Sequence, residues 1–157
     1  MLAATHVFAF SGQLLQRGFW LYVWEIQPRD GETIYYVGRT GDSSSPNAQS
    51  PFNRMGQHLG FNVKSNVLRR RLEKSGIAPG VCDFRLIAHG PILAEEQMVD
   101  KHRCARDIVA ALEKALAEAM SAAGYQVINP VHSRMALDDE LFATVRAVFA
   151  QYFPRMA

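Results

Sequence analysis

Two apolar and aromatic runs lie close together in the chain, at residues 19–26 and 34–37. Both are rich in the aromatic and β-branched residue types that favour strands. The segment between them contains Pro28 and the pair Asp30-Gly31, which are typical of turns. We therefore expect the two runs to form an antiparallel β-hairpin, with a loop of about three to seven residues.

The register of this hairpin decides which side chains meet. If residues of equal parity are paired, Tyr22 and Tyr36 lie on the same face, because side chains alternate along a strand. A slip of one residue would place them on opposite faces. The second strand ends at Gly38, where a backbone or a ligand can come close. Arg39 then adds a permanent cation beside that opening.

The rest of the chain predicts one more strand and four helices. The third strand is expected from Val81 to His89, where Gly90-Pro91 ends it. The second helix is expected to begin at a Ser65 cap. An extended piece is expected at 125–128. The expected helices, from their apolar periodicity and end signals, are 51–59, 65–74, 94–123 and 138–152.

The expected fold class is α+β, a small antiparallel three-stranded sheet flanked by helices, with an extra C-terminal helix. A chain of 157 residues is long enough for one domain with its own core. We expect a single domain over 1–157. Its parts would be an arm at 1–18 (a short helix or a loose segment), a core at about 19–129 and a helical extension at 130–157.

Charge is distributed unevenly. The net charge of +2 is too small to indicate a nucleic-acid partner by itself. Between residues 51 and 76, however, positive side chains exceed negative ones by five. Two distant cysteines, a non-basic N-terminus and the lack of a long apolar run predict a cytoplasmic protein that does not enter a membrane.

A set of short motifs follows the order of the predicted elements. Tyr36-Val37-Gly38 closes the second strand, and Trp20-Leu21-Tyr22 lies about 14 residues upstream. Arg54 and His58 are four apart on one helix face. In this order, and with Glu113 and Asn129 further on, these residues resemble the GIY-YIG endonuclease family, although Trp20 stands in place of the first glycine.

The predicted helix 94–123 offers two glutamates for the family's metal-binding position. Glu113 lies at the edge of the apolar stripe formed by Val109, Leu112, Leu116, Met120 and Ala123. Glu118 lies nearly opposite the centre of that stripe. A catalytic carboxylate must sit beside the sheet, so we select Glu113.

The resemblance implies metal-dependent hydrolysis of phosphodiester bonds in DNA. Glu113 would bind Mg²⁺ or Mn²⁺ as a hard oxygen ligand. Arg54 would hold a phosphate, and His58 would relay a proton or bind phosphate. We expect Tyr36 to be the base, with its pKa lowered by a metal, Arg39 or Arg54, and Tyr22 to position water or phosphate.

Two further assignments complete the predicted site. Asn129 would either fix the geometry of the site through its amide or end the strand before Pro130. A second group of residues would contact the DNA backbone without reading its sequence; it consists of Arg39, Lys64, Arg69, Arg70 and Arg71. The residues do not distinguish DNA from RNA.

Two other hypotheses remain open at this stage. The missing first glycine favours a nucleic-acid-binding module that has lost catalysis. Alternatively, the chain is a protein-interaction domain or homodimer that docks through Leu141, Val145 and Phe149 of its last helix.

Overall fold

The computed structural model describes residues 3–157, so Met1 and Leu2 of the predicted arm lie outside the described residues. The described residues form three strands and four α-helices in an α+β arrangement, which confirms the predicted fold class. Two of the strands are the predicted hairpin. The elements are β1 (Phe19–Pro28), β2 (Ile34–Arg39), α1 (Pro51–Leu59), α2 (Val67–Lys74), β3 (Cys82–Leu93), α3 (Val99–Ala122) and α4 (Asp139–Ala150).

The sheet is antiparallel, in the order β2-β1-β3. In the hairpin, Tyr22 pairs with Gly38 and Trp24 pairs with Tyr36. Residues of equal parity are therefore opposite each other. Tyr22 and Tyr36 share a face of the sheet, as the first of the two possible registers predicts.

Each face of the sheet has its own apolar cluster. Tyr22, Trp24, Ile26 and Tyr36 pack on one face against Leu68 and Leu72 of α2, both fully buried. The opposite face packs against the long helix α3 and against α4. Burial on both faces fixes the register, because a slip would move every side chain to the wrong cluster.

The structure corrects three boundaries. β3 does not end at Gly90-Pro91 but continues to Leu93, because its pairing with β1 resumes at Phe19–Leu93 after a register shift next to Leu21–His89. Helix α3 begins at Val99 and not near Ala94. Helix α2 begins after Asn66, not at a Ser65 cap.

The segment after α3 extends the sheet. Tyr35 donates a backbone hydrogen bond to Gln126 (2.9 Å) and accepts one from Ile128 (2.8 Å). Val127 thereby forms a parallel bridge with Tyr35. The predicted extended piece is thus a short addition to the free edge of β2.

The C-terminal extension is part of the same core. Val145 and Phe149 of α4 are almost completely buried in the apolar cluster on the α3 side of the sheet. Two of the three side chains that were expected to dock a partner are therefore covered within the chain, whereas Leu141 is only partly buried. Over residues 3–157, no helix has the length and apolar character needed to cross a membrane.

Candidate active site

The predicted site residues meet where β2 leaves the sheet. Helix α1 begins at Pro51, because Ser50 caps its first turn and proline suits the first helical position. It carries His58 to the face of the sheet on which Tyr22 and Tyr36 lie. The hydroxyl of Tyr22 lies 2.7 Å from Nε2 of His58. The rings of Tyr36 and His58 meet edge to face at 5.2 Å between centroids. His58 thus contacts both predicted tyrosines.

Arg54 lies one turn before His58 on α1, and both arms of its guanidinium are bonded. Nη2 donates to Oδ2 of Asp42 at 3.0 Å, and Nη1 donates to Oε1 of Gln57 at 3.0 Å. Asp42 is a site residue that the sequence interpretation missed. The available signal was a carboxylate three positions after Arg39 in the loop that leaves β2.

Glu113 reaches the same end of the sheet from α3. Its Oε2 accepts a hydrogen bond from Nε of Arg39 at 2.9 Å, and both side chains are mostly buried. The predicted face of α3 is confirmed, since Leu112 and Leu116 are fully buried on either side of Glu113. Glu118 points away and pairs with Lys114.

Burial governs the ionisation of the two tyrosines. Desolvation, opposed by Arg54, raises the pKa of Tyr22 well above its usual value. Desolvation and the charge of Glu113 raise the pKa of Tyr36 to about 12, against the opposing effects of Arg54 and Arg71. Arg54 lowers the pKa of Tyr36, as expected, but burial outweighs it and the net shift is upward.

His58 and Glu113 are shifted in the directions that disfavour charge. Burial, assisted by Arg54, lowers the pKa of His58 to about 4, so the imidazole is neutral at pH 7. Burial raises the pKa of Glu113 to about 7, although Arg39 opposes this shift. The site therefore holds a neutral imidazole and a carboxyl group that titrates near neutrality.

Gly38 has a different role from the expected one. An added Cβ atom at this position would lie 2.6 Å from Cζ and 2.7 Å from the hydroxyl oxygen of Tyr22. The space predicted as an opening for a phosphate is filled by the Tyr22 ring, which crosses from the paired strand. Glycine is needed here so that the phenol can reach His58.

Asn129 holds the edge of β2. Its Oδ1 accepts a hydrogen bond from the backbone nitrogen of Val37 (3.0 Å), and its Nδ2 donates to the carbonyl of Val37 (2.7 Å). The amide thus completes the hydrogen bonds of β2 one residue before Gly38. These contacts favour the first of the two predicted roles, in which the amide fixes the geometry of the site.

We expect Asn129→Ala to lower the free energy of unfolding by about 2–4 kcal/mol. The substitution leaves the buried N–H and C=O of Val37 without partners, at about 1–3 kcal/mol each. Denaturant titration measures the change, with Asn53→Ala, at an exposed position on α1, as the control. A change of less than about 0.5 kcal/mol, the usual range for surface substitutions, would contradict this role.

The five predicted DNA-binding residues are in different surroundings. Arg39 pairs with Glu113. Arg69 donates to the carbonyl of Leu59 and to Glu73, and Arg71 donates to the carbonyl of Ile128. These three guanidinium groups are therefore held by the chain itself. Lys64 and Arg70 are exposed.

A metal ion at this site would have few protein ligands. Among residues 3–157, no group of three or more histidine, cysteine or acidic side chains is placed to hold an ion. Glu113 nevertheless fits Mg²⁺, because this ion is often held by one or two carboxylates, with waters and substrate phosphates as the other ligands.

Comparison of the chain with protein-family models, with curated proteins and with solved structures gives no match.

Proposed function

We propose that the protein is a metal-dependent endonuclease that hydrolyses phosphodiester bonds in DNA, as its resemblance to the GIY-YIG family implies. One observation carries this proposal: a Tyr22–His58 hydrogen bond, the Arg54 guanidinium and the Glu113 carboxyl group converge at one end of the sheet. These groups supply a proton pathway, a phosphate-binding cation and a hard metal ligand. Hydrolysis of a phosphodiester needs all three.

Arg54 and Arg39 are the phosphate-binding groups. Each is paired with a carboxylate of the chain, Asp42 or Glu113, so the site is close to neutral before substrate binds. A phosphodiester offers the same planar pair of acceptor oxygens as a carboxylate. It would therefore replace Asp42 on Arg54 and leave the guanidinium in place to stabilise the charge of the transition state.

Glu113 would hold Mg²⁺ or Mn²⁺, and Arg39 would move from Glu113 to the substrate phosphate. The ion, when bound, supplies Lewis-acid stabilisation of the leaving oxygen. The burial of Glu113 excludes water from one side of the carboxylate. This strengthens its interaction with any cation.

The contacts of the two tyrosines favour Tyr22 over Tyr36 for the proton pathway. A neutral phenol can take a proton from water only if it passes on its own proton. The Tyr22 hydroxyl lies 2.7 Å from Nε2 of His58, which is neutral and accepts that proton when its own ring proton is on Nδ1. The carbonyl of Arg39, at 3.3 Å, is a second acceptor for the same hydroxyl. Tyr36, which is slightly more exposed, would then orient the attacking water or the phosphate. This reverses the roles expected from the sequence.

A second candidate function is favoured by the Arg39–Glu113 contact. This ion pair occupies the carboxylate that a metal would need. If the pair persists in the complex, the protein binds nucleic acid without cutting it. Binding with steep salt dependence and no turnover in Mg²⁺ or Mn²⁺ would establish this alternative.

A reducing cytosol remains the proposed compartment. Cys82 and Cys104 are both unpaired, and Cys104 is exposed. Free exposed thiols are typical of proteins kept in reducing surroundings.

The pH dependence of cleavage should follow Glu113. Protonated Glu113 binds no metal, and its pKa is about 7 in the free protein. At limiting metal concentration we expect the rate to fall about tenfold from pH 8 to pH 6 and to level off above pH 8. Raising the Mn²⁺ concentration should move the midpoint to lower pH, because the ion and the proton compete for the same carboxylate. The measurement is the initial rate of plasmid nicking.

Arg39→Gln tests whether Glu113 sets the midpoint of the pH profile of cleavage. Arg39 lowers the pKa of Glu113, so its loss should shift the midpoint to higher pH. If the logarithm of the cleavage rate instead rises with pH, with a slope of one up to pH 10, the base is a phenolate such as that of Tyr36, whose pKa is about 12.

A further inference from the structure

We propose that a pocket beside Arg54 receives an unpaired nucleobase of the bound strand. The inference rests on the proposed function and adds to it the form of the substrate: the nucleotide next to the phosphate on Arg54 would be unstacked from its neighbours. The pocket lies between α1 and the loop at residues 60–66, and its volume is about 420 Å³.

The lining of the pocket matches a neutral, hydrogen-bonding ligand. Asn53, Gln57 and Asn62 contribute amide groups, and Ser65 contributes a hydroxyl group. Amides provide both donors and acceptors, as the edges of bases do. Among the described residues, no charged side chain lines the pocket. A phosphate or a carboxylate would lack a counter-charge there, whereas a base needs none.

Phe61 provides a flat apolar surface at the pocket. Its side chain is 85% exposed, which is unusual for a phenylalanine. The guanidinium carbon of Arg69 lies 4.3 Å from the centre of the ring. Two acceptors, the carbonyl of Leu59 and the carboxylate of Glu73, hold that guanidinium in turn. The ring is therefore supported on one face by a fixed cation.

An aromatic ring of this kind is suited to stacking with a base. Proteins that bind single-stranded nucleic acid place successive bases on exposed aromatic side chains, and the contact tolerates any base because each has a π face. The exposed cations Lys64 and Arg70 lie on the same loop and on the next helix. They provide exposed positive charges for the phosphate backbone close to this loop.

A direct contact connects the pocket to the proposed phosphate site. Gln57 lines the pocket, and its Oε1 accepts a hydrogen bond from Nη1 of Arg54 at 3.0 Å. The pocket is therefore next to the phosphate site, and a nucleotide whose phosphate lies on Arg54 can place its base beside Gln57. The chain could in this way read the state of the strand, paired or unpaired, at the position where it cuts.

Gly56 allows a variant that fills the pocket without harming the fold. It lies within α1, and a Cβ atom added there meets no atom within 4 Å. Gly56→Leu would place a side chain in the pocket and would also favour the helix, because glycine is a poor helix former. Gly80→Leu is the matched control, since Gly80 has equally open surroundings and does not line this pocket.

The test is the binding of a fluorescent single-stranded DNA oligonucleotide, measured by anisotropy in EDTA so that no cutting occurs. We expect Gly56→Leu and Phe61→Leu each to raise Kd about tenfold, the effect of losing one stacked base. The slope of log Kd against log salt concentration should not change, because no phosphate contact is removed. Gly80→Leu should bind like the parent.

An oligonucleotide with one abasic site, moved along the strand, identifies the bound base. With the abasic site at one particular position, the parent should bind the oligonucleotide about tenfold more weakly than it binds the intact strand. Phe61→Leu should bind these two oligonucleotides equally well, because the stacking contact is already lost in this variant. If the parent binds and cuts DNA but both variants bind like the parent, the pocket proposal is overturned and the nuclease proposal stands. If the parent neither binds nor cuts DNA, the proposed function fails, and the pocket proposal fails with it.

Discussion

Glu113→Gln is expected to lower the rate of DNA cleavage by at least 10³-fold. Glutamine keeps the size of the side chain and its packing between Leu112 and Leu116, but it removes the charge that would hold the metal ion. Lewis-acid stabilisation is worth several kcal/mol, and a loss of about 4 kcal/mol corresponds to a factor of about 10³. The measurement is the initial rate of plasmid nicking in saturating Mg²⁺ or Mn²⁺.

Glu118→Gln is the matched control for this variant. Glu118 lies on the same helix but on its exposed side, where it pairs with Lys114. It should cut DNA at the parental rate. Thermal unfolding of both variants should show that the sheet and helices remain intact. A Glu113→Gln protein that cuts at more than a tenth of the parental rate would contradict the assigned metal ligand.

Tyr22→Phe is expected to lower the cleavage rate by about 10²–10³-fold, within the usual range for a group that moves a proton. The substitution removes only the hydroxyl that lies 2.7 Å from His58. The phenyl ring still fills the space beside Gly38, so the hairpin should remain packed. DNA affinity in EDTA should change little, because Arg54 and Arg39 remain to hold the phosphate. The measurement is the rate under single-turnover conditions.

The two tyrosines of β2, Tyr35 and Tyr36, make this experiment specific. Tyr35 lies on the opposite face of the sheet, where it packs against Tyr125 and Phe153. Tyr35→Phe should therefore leave the cleavage rate unchanged. Tyr36→Phe should have a smaller effect than Tyr22→Phe if Tyr36 only orients water or phosphate. A larger effect for Tyr36→Phe would restore the original assignment of Tyr36 as the base.

Much of the architecture was predictable because it depends on local pattern. The density of aromatic and β-branched residues in two adjacent runs predicts the hairpin, and burial on both of its faces fixes the register that pairs Tyr22 with Gly38. The ends of α1 follow from Ser50, Pro51 and Gly60, which have clear conformational preferences. The positions of Glu113 and Glu118 around α3 were predictable as well, because the helical period places Glu113 at the edge of the apolar stripe and Glu118 on the exposed side.

The details of the site were not predictable, because they depend on contacts between distant parts of the chain. The ion pair of Arg39 and Glu113 joins residues 74 positions apart. The position of Asp42 depends on the path of a loop with no periodic pattern. Burial of the tyrosines also emerges only from packing, so the sequence predicts the effect of Arg54 on the pKa of Tyr36 but not the larger, opposite effect of burial.

The end of β3 was likewise not predictable, because it depends on pairing with β1. Glycine followed by proline usually ends a strand, and the sequence gives no sign that this pair will continue one. Only the pairing with β1 shows that a register shift between Phe19 and Leu21 lets the strand run on to Leu93. A sequence pattern therefore predicts the presence of this strand better than its end.

The most direct test of the central claim is the incubation of supercoiled plasmid with the parent protein and with Glu113→Gln, in Mg²⁺, in Mn²⁺ and in EDTA. We predict that the parent converts the plasmid to nicked and linear forms in at least one metal, that EDTA stops the reaction and that Glu113→Gln is inactive. No cutting by the parent in either metal, or equal cutting by both proteins, would contradict the proposed nuclease.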